Sequence, residues 1–372
     1  MAFFPGPRSN KTVRMGVVGG GFGSSFHWHE HPDSKVVAVA DLREDRRQAL
    51  MKQNPQAEGY VDFKDLVKDK NVDAVAVFSG VPEHAWMAEY AMKNGKHVIT
   101  AVPAAISLEE CQRLIDAVKS TGMTYMNAET SYYYPGVITC RQWQKEGKFG
   151  TIFYSEGEYH HDVEDMRGKS QWFYYEGKPT WRLGLPPMFY ITHSSAGVIS
   201  VTGERLSAVS CLGWGQDHPA LKQNRYGNNR FSNCVALFKT SGGHAARISE
   251  FRYLAATGMV RNEFYGTEMS YLDPQGGKKT AIVSKPPEHV SDHVPETHWD
   301  LLPPELRKPS GHAGSHTHLT NEFVRSIVEG RWPAINVYEA VAFCSPGIVA
   351  HESALKEGEW KKVPDFGRAP GA

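Results

Sequence analysis

A chain of 372 residues exceeds the size at which a single hydrophobic core keeps growing, so two domains are expected. Its 41 basic and 41 acidic side chains cancel, which excludes a broad positive field of the kind that recruits nucleic acid or an anionic membrane. Hydrophobic residues make up 41% of the chain, enough for two cores, yet no apolar run reaches the roughly 18–20 residues of a bilayer-spanning helix.

The N-terminal run Met1-Ala2-Phe3-Phe4-Pro5-Gly6-Pro7 is too short and too broken by proline for the apolar region of a signal peptide. Cys111, Cys140, Cys211, Cys234 and Cys344 are odd in number and scattered, fitting neither a disulfide framework nor a zinc ribbon. A reducing, cytoplasmic location is the expectation.

Residues 12–130 alternate short β-branched runs with helical patterns, as βαβ units around a parallel sheet do. Strands are predicted at Val13–Val18, Val36–Ala40, Ala74–Phe78, His97–Thr100 and Thr124–Asn127. The clearest helix follows Ser107, which caps it, with Glu110 three positions later completing a capping box. Leu108, Cys111, Leu114, Ile115 and Val118 recur at helical spacing and place one face of that helix on the sheet.

The first strand runs directly into Gly19-Gly20-Gly21-Phe22-Gly23-Ser24. Glycines there allow a tight turn and close approach of a pyrophosphate, and the N-terminus of a following helix is expected to add amide donors and a positive dipole end. Twenty residues after Gly21, at the end of the second strand, Asp41 is placed to hold the ribose hydroxyls of NAD and to repel a 2′-phosphate; Arg43 nearby softens that preference. Strand, loop and acid together indicate a Rossmann domain that takes NAD.

Beyond residue 135 the texture changes. Alternating runs at Ile152–Tyr159, Ala208–Leu212, Cys234–Lys239, Ala246–Tyr253 and Arg261–Tyr265 predict an open, mainly antiparallel sheet. Residues 274–314, rich in Pro, Gly, His and Lys, read as a long loop, followed by helices at 316–329 and 337–357, the second containing Pro346. The fold class is therefore α/β: residues 1–135 form an N-terminal Rossmann domain with a parallel sheet. Residues 136–372 form a C-terminal α+β domain for substrate binding and oligomerisation.

Gly16–Ser24, Asp41, the strand Val72–Phe78 followed by Ser79-Gly80-Val81-Pro82-Glu83-His84, and Gly95-Lys96-His97-Val98 resemble the Gfo/Idh/MocA oxidoreductases. In that family the open sheet forms oligomer interfaces, which implies a homo-oligomer, dimer or tetramer. The ordinary dehydrogenases of the family carry Glu-Lys-Pro after the fifth strand, whereas this chain has Ala101-Val102-Pro103, and Val102 moves no proton. The usual aspartate and histidine of the second domain are also altered, to Pro187-Met188-Phe189-Tyr190-Ile191-Thr192-His193-Ser194.

At these altered places the chain is similar to glycoside hydrolase family 109. The likeness lies in Val102-Pro103-Ala104-Ala105, Glu156–Asp162, Thr180-Trp181-Arg182, Tyr190-x-Thr192-His193 and Gly311-His312-Ala313-Gly314. The resemblance implies an NAD-dependent glycosidase that oxidises C3 of a sugar transiently, eliminates the aglycone, adds water and reduces the ketone again. It implies His193 and Tyr190 as catalytic groups and Tyr159, His161, Arg182 and Thr192 as substrate contacts. The cofactor contacts it implies come from Gly19, Gly21, Phe22, Gly23, Asp41, Ser79, His84, Val102, Pro103 and Glu129.

Histidine titrates near neutral pH and suits repeated proton transfer. Of the adjacent His160 and His161, alternation along a strand brings one to the site, and His161 is favoured. No isolated carboxylate pair stands out, since Glu156, Glu158 and Asp162 read as a solvated face. His312, His316 and His318 read as solvent-exposed or substrate-contacting, with no metal site, because no carboxylate or cysteine stands at ligand spacing. Trp172, Trp181, Trp214 and Trp299 are candidates for stacking on a sugar, and Lys178 with Arg182 for an anionic substituent. Two rival readings remain open at this point: a sugar or cyclitol dehydrogenase with a displaced base, and a non-enzymatic NAD or sugar sensor.

Overall fold

The computed structural model describes residues 12–162, 173–215, 226, 229–255, 259–273, 280–284 and 289–371. They divide into two compact units. One takes the chain up to Tyr134, together with Thr297–Val341 and residues from Phe366 onward; the other takes Pro135–Glu296 and Ala342–Asp365.

The first unit is built on β1 (Val13–Val18), β2 (Ser34–Ala40), α1 (Glu44–Gln53), β3 (Glu58–Tyr60), α2 (Phe63–Lys68), β4 (Ala74–Val77), α3 (His84–Lys93), β5 (His97–Thr100), α4 (Leu108–Thr121) and β6 (Tyr125–Asn127). Its six strands are parallel in the order β3-β2-β1-β4-β5-β6, the order of a Rossmann sheet. Helices on both faces explain why β4 reads Ala-Val-Ala-Val without alternation, all four residues being fully buried. The Ser107 hydroxyl accepts from the Glu110 amide, but the Glu110 carboxylate reaches back to the amide of Ile106, one residue before the usual capping-box partner. Gly122, at φ 66°, ends α4 in the left-handed conformation.

One expectation fails here. No long helix follows the glycine loop; the chain crosses to β2 through two single-turn 3₁₀ segments, Gly23–Ser25 and Trp28–Glu30. Only ten residues separate Gly23 from Ser34, too few for a helix and two turns. The late helix Ser315–Glu329 packs against this segment and β1 instead, with Phe323 on Trp28 and the ring of His316 stacked on Phe26 at 4.2 Å.

The second unit contains α5 (Pro135–Lys145), β7 (Ile152–His160), the hairpin β8 (Tyr174–Tyr175) and β9 (Lys178–Pro179), α6 (Thr192–Thr202), β10 (Leu206–Trp214), β11 (Asn233–Thr240), β12 (Ala245–Phe251), β13 (Met259–Gly266), β14 (Met269–Leu272), β15 (Thr280–Ser284), β16 (His289–His293) and β17 (Lys361–Lys362). Among the described residues nine strands form one sheet in the order β16-β15-β14-β13-β7-β12-β11-β10-β17. Its pairs are antiparallel except β7 with β12. The stretch 274–314 is thus not one long loop, since β15 and β16 lie inside it and extend the sheet. Of the two, β16 at the sheet edge is His-Val-Ser-Asp-His, and an edge strand needs backbone pairing more than apolar side chains. The last helix runs Val337–Leu355 with Pro346 inside it.

Helix α6 lies on one face of β7, and Gly157 permits the close approach: a Cβ there would sit 2.2 Å from the Ser194 carbonyl oxygen. Gly157→Ala is therefore expected to cost about 1–3 kcal/mol through forced separation of helix and strand. Thermal unfolding of the variant checks this; an unchanged midpoint would contradict it.

By alternation, Glu156 and Glu158 point to the opposite face. They are not a solvated face. Glu158 is 3% exposed and meets Arg247 at 2.8 Å and Arg261 at 2.9 Å, while Arg261 also holds Glu263 at 2.7 Å. Burial alone pushes the Glu158 carboxyl up, but the hydrogen bond and charge of Arg261 outweigh it and hold the group below the ordinary carboxylate range. The same face carries Leu212, Trp214 and Leu237, all exposed.

Candidate active site

In the first unit the carboxyl ends of β1 and β2 carry the dinucleotide signature. Gly19 sits at φ 95°, and a Cβ on it would lie 2.3 Å from the Phe78 carbonyl oxygen, so only glycine fits. Gly20 is similarly closed against the backbone of Arg46 at 2.8 Å, while Gly23 donates its amide to the Gly19 carbonyl at 3.1 Å. The Asp41 carboxylate accepts from the Gly20 amide at 2.7 Å and from the Arg43 amide at 2.8 Å. The Arg43 guanidinium is engaged by Asp45 at 2.6 Å, so it is drawn away from the role of a 2′-phosphate partner. Phe22 is ringed by Phe26, Phe78, His312 and His316.

At the ends of β4, β5 and β6 lie the other residues expected on the cofactor side. His84 is 1% exposed and its two nitrogens meet backbone carbonyls, Pro103 at 2.8 Å and Ser79 at 3.2 Å. It ties the two loops together, and burial lowers its pKa despite those bonds. Val102 is buried, and Glu129, fully buried, accepts from the Ser131 amide at 2.8 Å.

Around them the Ser79, Thr130 and Ser131 hydroxyl oxygens and the Asn127 amide oxygen are buried without a hydrogen-bond partner among the described residues. Each such group costs about 1–3 kcal/mol if nothing satisfies it, so the set fits a polar ligand lying over the strand ends. A dinucleotide is such a ligand, and the glycine turn and Asp41 fit its pyrophosphate and ribose. Asp41→Ala should weaken NAD binding by roughly 1.5–3 kcal/mol and reduce discrimination against NADP. Titration calorimetry with both dinucleotides reads this, and a wild-type preference for NADP would count against Asp41.

The histidines after residue 310 differ from their expected exposure. His316 and His318 are buried; His318 stacks on Tyr133 with ring centroids 5.5 Å apart. His316 is pushed down to about 4 by burial and by neighbouring His312, and its Nε2 meets His312 Nδ1 at 2.8 Å. His312, at φ 51°, is the exposed member of the pair. Among the described residues no group of three or more His, Cys, Asp or Glu side chains is arranged to hold a metal ion.

In the second unit β7, α6 and the turn before α6 bring five of the expected residues together. Tyr159 lies two residues beyond Gly157 and His193 one before Ser194, so the close helix–strand contact places their rings edge-to-face at 4.7 Å. Tyr190 approaches His193 at 5.4 Å and stacks with Tyr159 at 6.0 Å. The Tyr159 hydroxyl meets His161 Nδ1 at 2.8 Å. His161 is pushed down to about 4, by burial first and then by the charges of Arg252 and His193, so the neutral imidazole is favoured and shares a hydrogen bond with the phenol rather than taking its proton.

Trp181 stacks with Tyr190 at 6.4 Å, and the Arg182 guanidinium lies 4.1 Å over Trp181. His160 turns to the opposite face, stacking on Phe251 at 4.3 Å and bonding the Ser249 hydroxyl at 2.8 Å. Thr192 is fully buried, its hydroxyl without a partner among the described residues. Trp214 packs on Phe251, on the face away from Tyr159, Lys178 lies exposed in β9, and Trp172 is outside the described residues.

Two residues of this cluster escape sequence reasoning. Arg252 lies over Tyr159 at 4.4 Å and Tyr190 at 5.2 Å, and is paired at 3.1 Å with Glu250, which is fully buried. The other Glu250 oxygen accepts from the Ser194 hydroxyl. The pairing that brings Glu250 opposite Tyr159 joins strands some ninety residues apart, and nothing local announces it.

No helix of the described residues is long and apolar enough to cross a membrane. Residues 13–129 match the Gfo/Idh/MocA family, described as an oxidoreductase family with an NAD-binding Rossmann fold. The whole chain superposes on a levoglucosan dehydrogenase solved with NADH and L-sorbose, with a TM-score of 0.78, 18% identity, and coverage of 96% of this chain and 100% of that one. It is 26% identical to a glycosyl hydrolase family 109 protein of Streptomyces filamentosus, across 96% of this chain and 78% of that protein. To glycosyl hydrolase family 109 protein 1 of Bacteroides thetaiotaomicron it is 32% identical, across 96% of this chain and 85% of that protein. The chain is an NAD-dependent enzyme of the Gfo/Idh/MocA type and belongs, within it, to glycosyl hydrolase family 109.

Proposed function

We propose that the chain cleaves a glycosidic bond by transient oxidation at C3 of the sugar, loss of the C2 proton, elimination of the aglycone, addition of water and re-reduction. The observation that carries this reading is His193 packed against the rings of both Tyr159 and Tyr190, an arrangement that suits two phenols and an imidazole to one substrate. NAD, when bound, supplies the oxidation and the final reduction at C3. The residues of the chain handle protons. His193 takes the C2 proton, and Tyr190 donates a hydrogen bond to the oxygen that gains charge. Tyr159, as the phenolate, accepts the proton of the C3 hydroxyl and, as the phenol, returns it, with neutral His161 hydrogen-bonded to its oxygen through Nδ1. Arg182 and Trp181 bind the ring, and Thr192 fixes the first turn of α6 beneath it.

On the first unit, Gly19, Gly21, Phe22, Gly23, Asp41, Ser79, Val102, Pro103 and Glu129 bind or line the dinucleotide, and His84 holds two of those loops together. The unit from Pro135 binds the sugar. A second copy of the chain covers the open sheet face with Leu212, Trp214 and Leu237, giving a homo-oligomer in the cytoplasm; light scattering of the purified protein tests the assembly.

The dehydrogenase reading draws support from the superposition on a sugar dehydrogenase. Against it stands Val102, buried and apolar where, by the resemblance, the ordinary dehydrogenases of the family carry a lysine. Purified protein given an aryl glycoside and NAD decides between them. Release of the aglycone without build-up of NADH supports the glycosidase, stoichiometric NADH supports the dehydrogenase, and neither over a glycoside panel supports a sensor.

A further inference from the structure

The sugar-side cluster contains a cation that the chemistry above does not use. Arg252 follows β12, where the backbone is clamped: its amide and that of Tyr253 both donate to the Asn233 side-chain oxygen, at 2.9 and 3.0 Å, and the Asn233 side chain returns a bond to the Tyr253 carbonyl at 2.9 Å. Its guanidinium is fixed from behind by Glu250, whose carboxylate is itself held by Ser194 in the first turn of α6. A side chain anchored at both ends gives up little further freedom in lying flat on a ring. It lies on two, Tyr159 and Tyr190.

We propose that Arg252 is the positioning residue of this tyrosine pair: it fixes the two ring planes, and its charge weakens their hold on the phenolic proton so that a tyrosine oxygen accepts protons from the substrate. This rests on the reading of Tyr159, Tyr190 and His193 as the groups that act on the sugar. A cation within about 4–6 Å of an acidic group favours the anion and lowers the pKa by about 1–3 units. Among the described residues the charged and titratable groups around the two phenols are His161 and Asp162 after β7, His193 on α6, Arg182 before it, Glu250 on β12 and Arg252 after it. Glu250 opposes the effect, but it stands behind the guanidinium and is engaged by both Arg252 and Ser194. The charge of Arg252 already tells on His161, which it disfavours as an imidazolium.

Arg252→Met and Arg252→Lys, made in the full chain and loaded with NAD, test the assignment. Ultraviolet difference titration follows phenolate formation, with Tyr159→Phe and Tyr190→Phe identifying the transitions. In Arg252→Met the midpoint of the assigned phenol should rise by about 1–2 pH units, and the acidic limb of the kcat profile should rise with it. KM and NAD affinity should move little. Arg252→Lys should restore the midpoint while restoring turnover only in part, because an ammonium keeps the charge but not the flat face.

A folded Arg252→Met protein with unmoved phenol titration overturns the proposal, as does a kcat loss with no change in pH profile, which marks simple packing. If Arg252→Met does not fold, Arg252→Lys with a phenol midpoint displaced upward overturns it equally. A shifted midpoint in a protein that releases no aglycone leaves the assignment of charge standing and retires the sugar chemistry instead.

Discussion

Replacing His193 by alanine is expected to lower kcat on a glycoside by about 10²–10⁴, the range for a positioned acid–base group. The geometry explains why the loss should fall on kcat. His193 stands on the first turn of α6, 6% exposed, with two phenol rings against its edges, so its orientation is set before substrate arrives. Removing the imidazole leaves those rings, Trp181 and Arg182 to bind the sugar, and KM should change far less than kcat. NAD affinity should be unaltered, because the glycine turn and Asp41 belong to the first unit and His193 to the second. Steady-state kinetics with an aryl glycoside, and calorimetric titration of NAD, separate these terms. A variant that retains full kcat would remove His193 from the chemistry.

How much of this was legible beforehand depended on how local each signal is. The glycine turn and Asp41 were readable because a dinucleotide turn imposes residue types within a single strand–turn–strand segment. The capping of α4 was readable for the same reason, although Glu110 bonds Ile106 rather than Ser107. The helix expected after the turn was not there, and counting the residues from Gly23 to Ser34 would have shown that too little chain remains. Glu156 and Glu158 misled because alternating charge looks alike whether it meets water or arginines; only the pairing with β12 and β13 decides it, and that pairing is non-local. Arg252 and Glu250 were invisible on the same ground. Tyr190 and His193, by contrast, were singled out by resemblance, since their spacing alone is that of an ordinary packed helix.

A glycoside whose C3 hydroxyl is methylated or absent should not turn over at all, although it still fits a site built from stacked rings. The reason lies in the groups that the described residues place around the site. Hydrolysis by direct displacement at C1 needs two carboxyl groups flanking the bond, about 5–9.5 Å apart according to outcome. Among the described residues of the cluster around Tyr159 and His193, Glu250 is fully buried and engaged by Arg252 and Ser194, so it is a poor nucleophile or acid, and Asp162 follows β7 beside His161. Oxidation at C3 removes that requirement, because a ketone there acidifies the proton at C2 and the aglycone then leaves by elimination. Two results follow. Turnover in deuterated water should place deuterium at C2 of the product, which nuclear magnetic resonance reads directly, whereas displacement at C1 leaves that C–H bond untouched. The C3-blocked glycoside should instead bind as a competitive inhibitor, its affinity reporting the ring contacts of Trp181, Tyr159 and Arg182 without the chemistry. Steady hydrolysis of the blocked compound would exclude the C3 route outright, and with it the roles given to Tyr159 and His193.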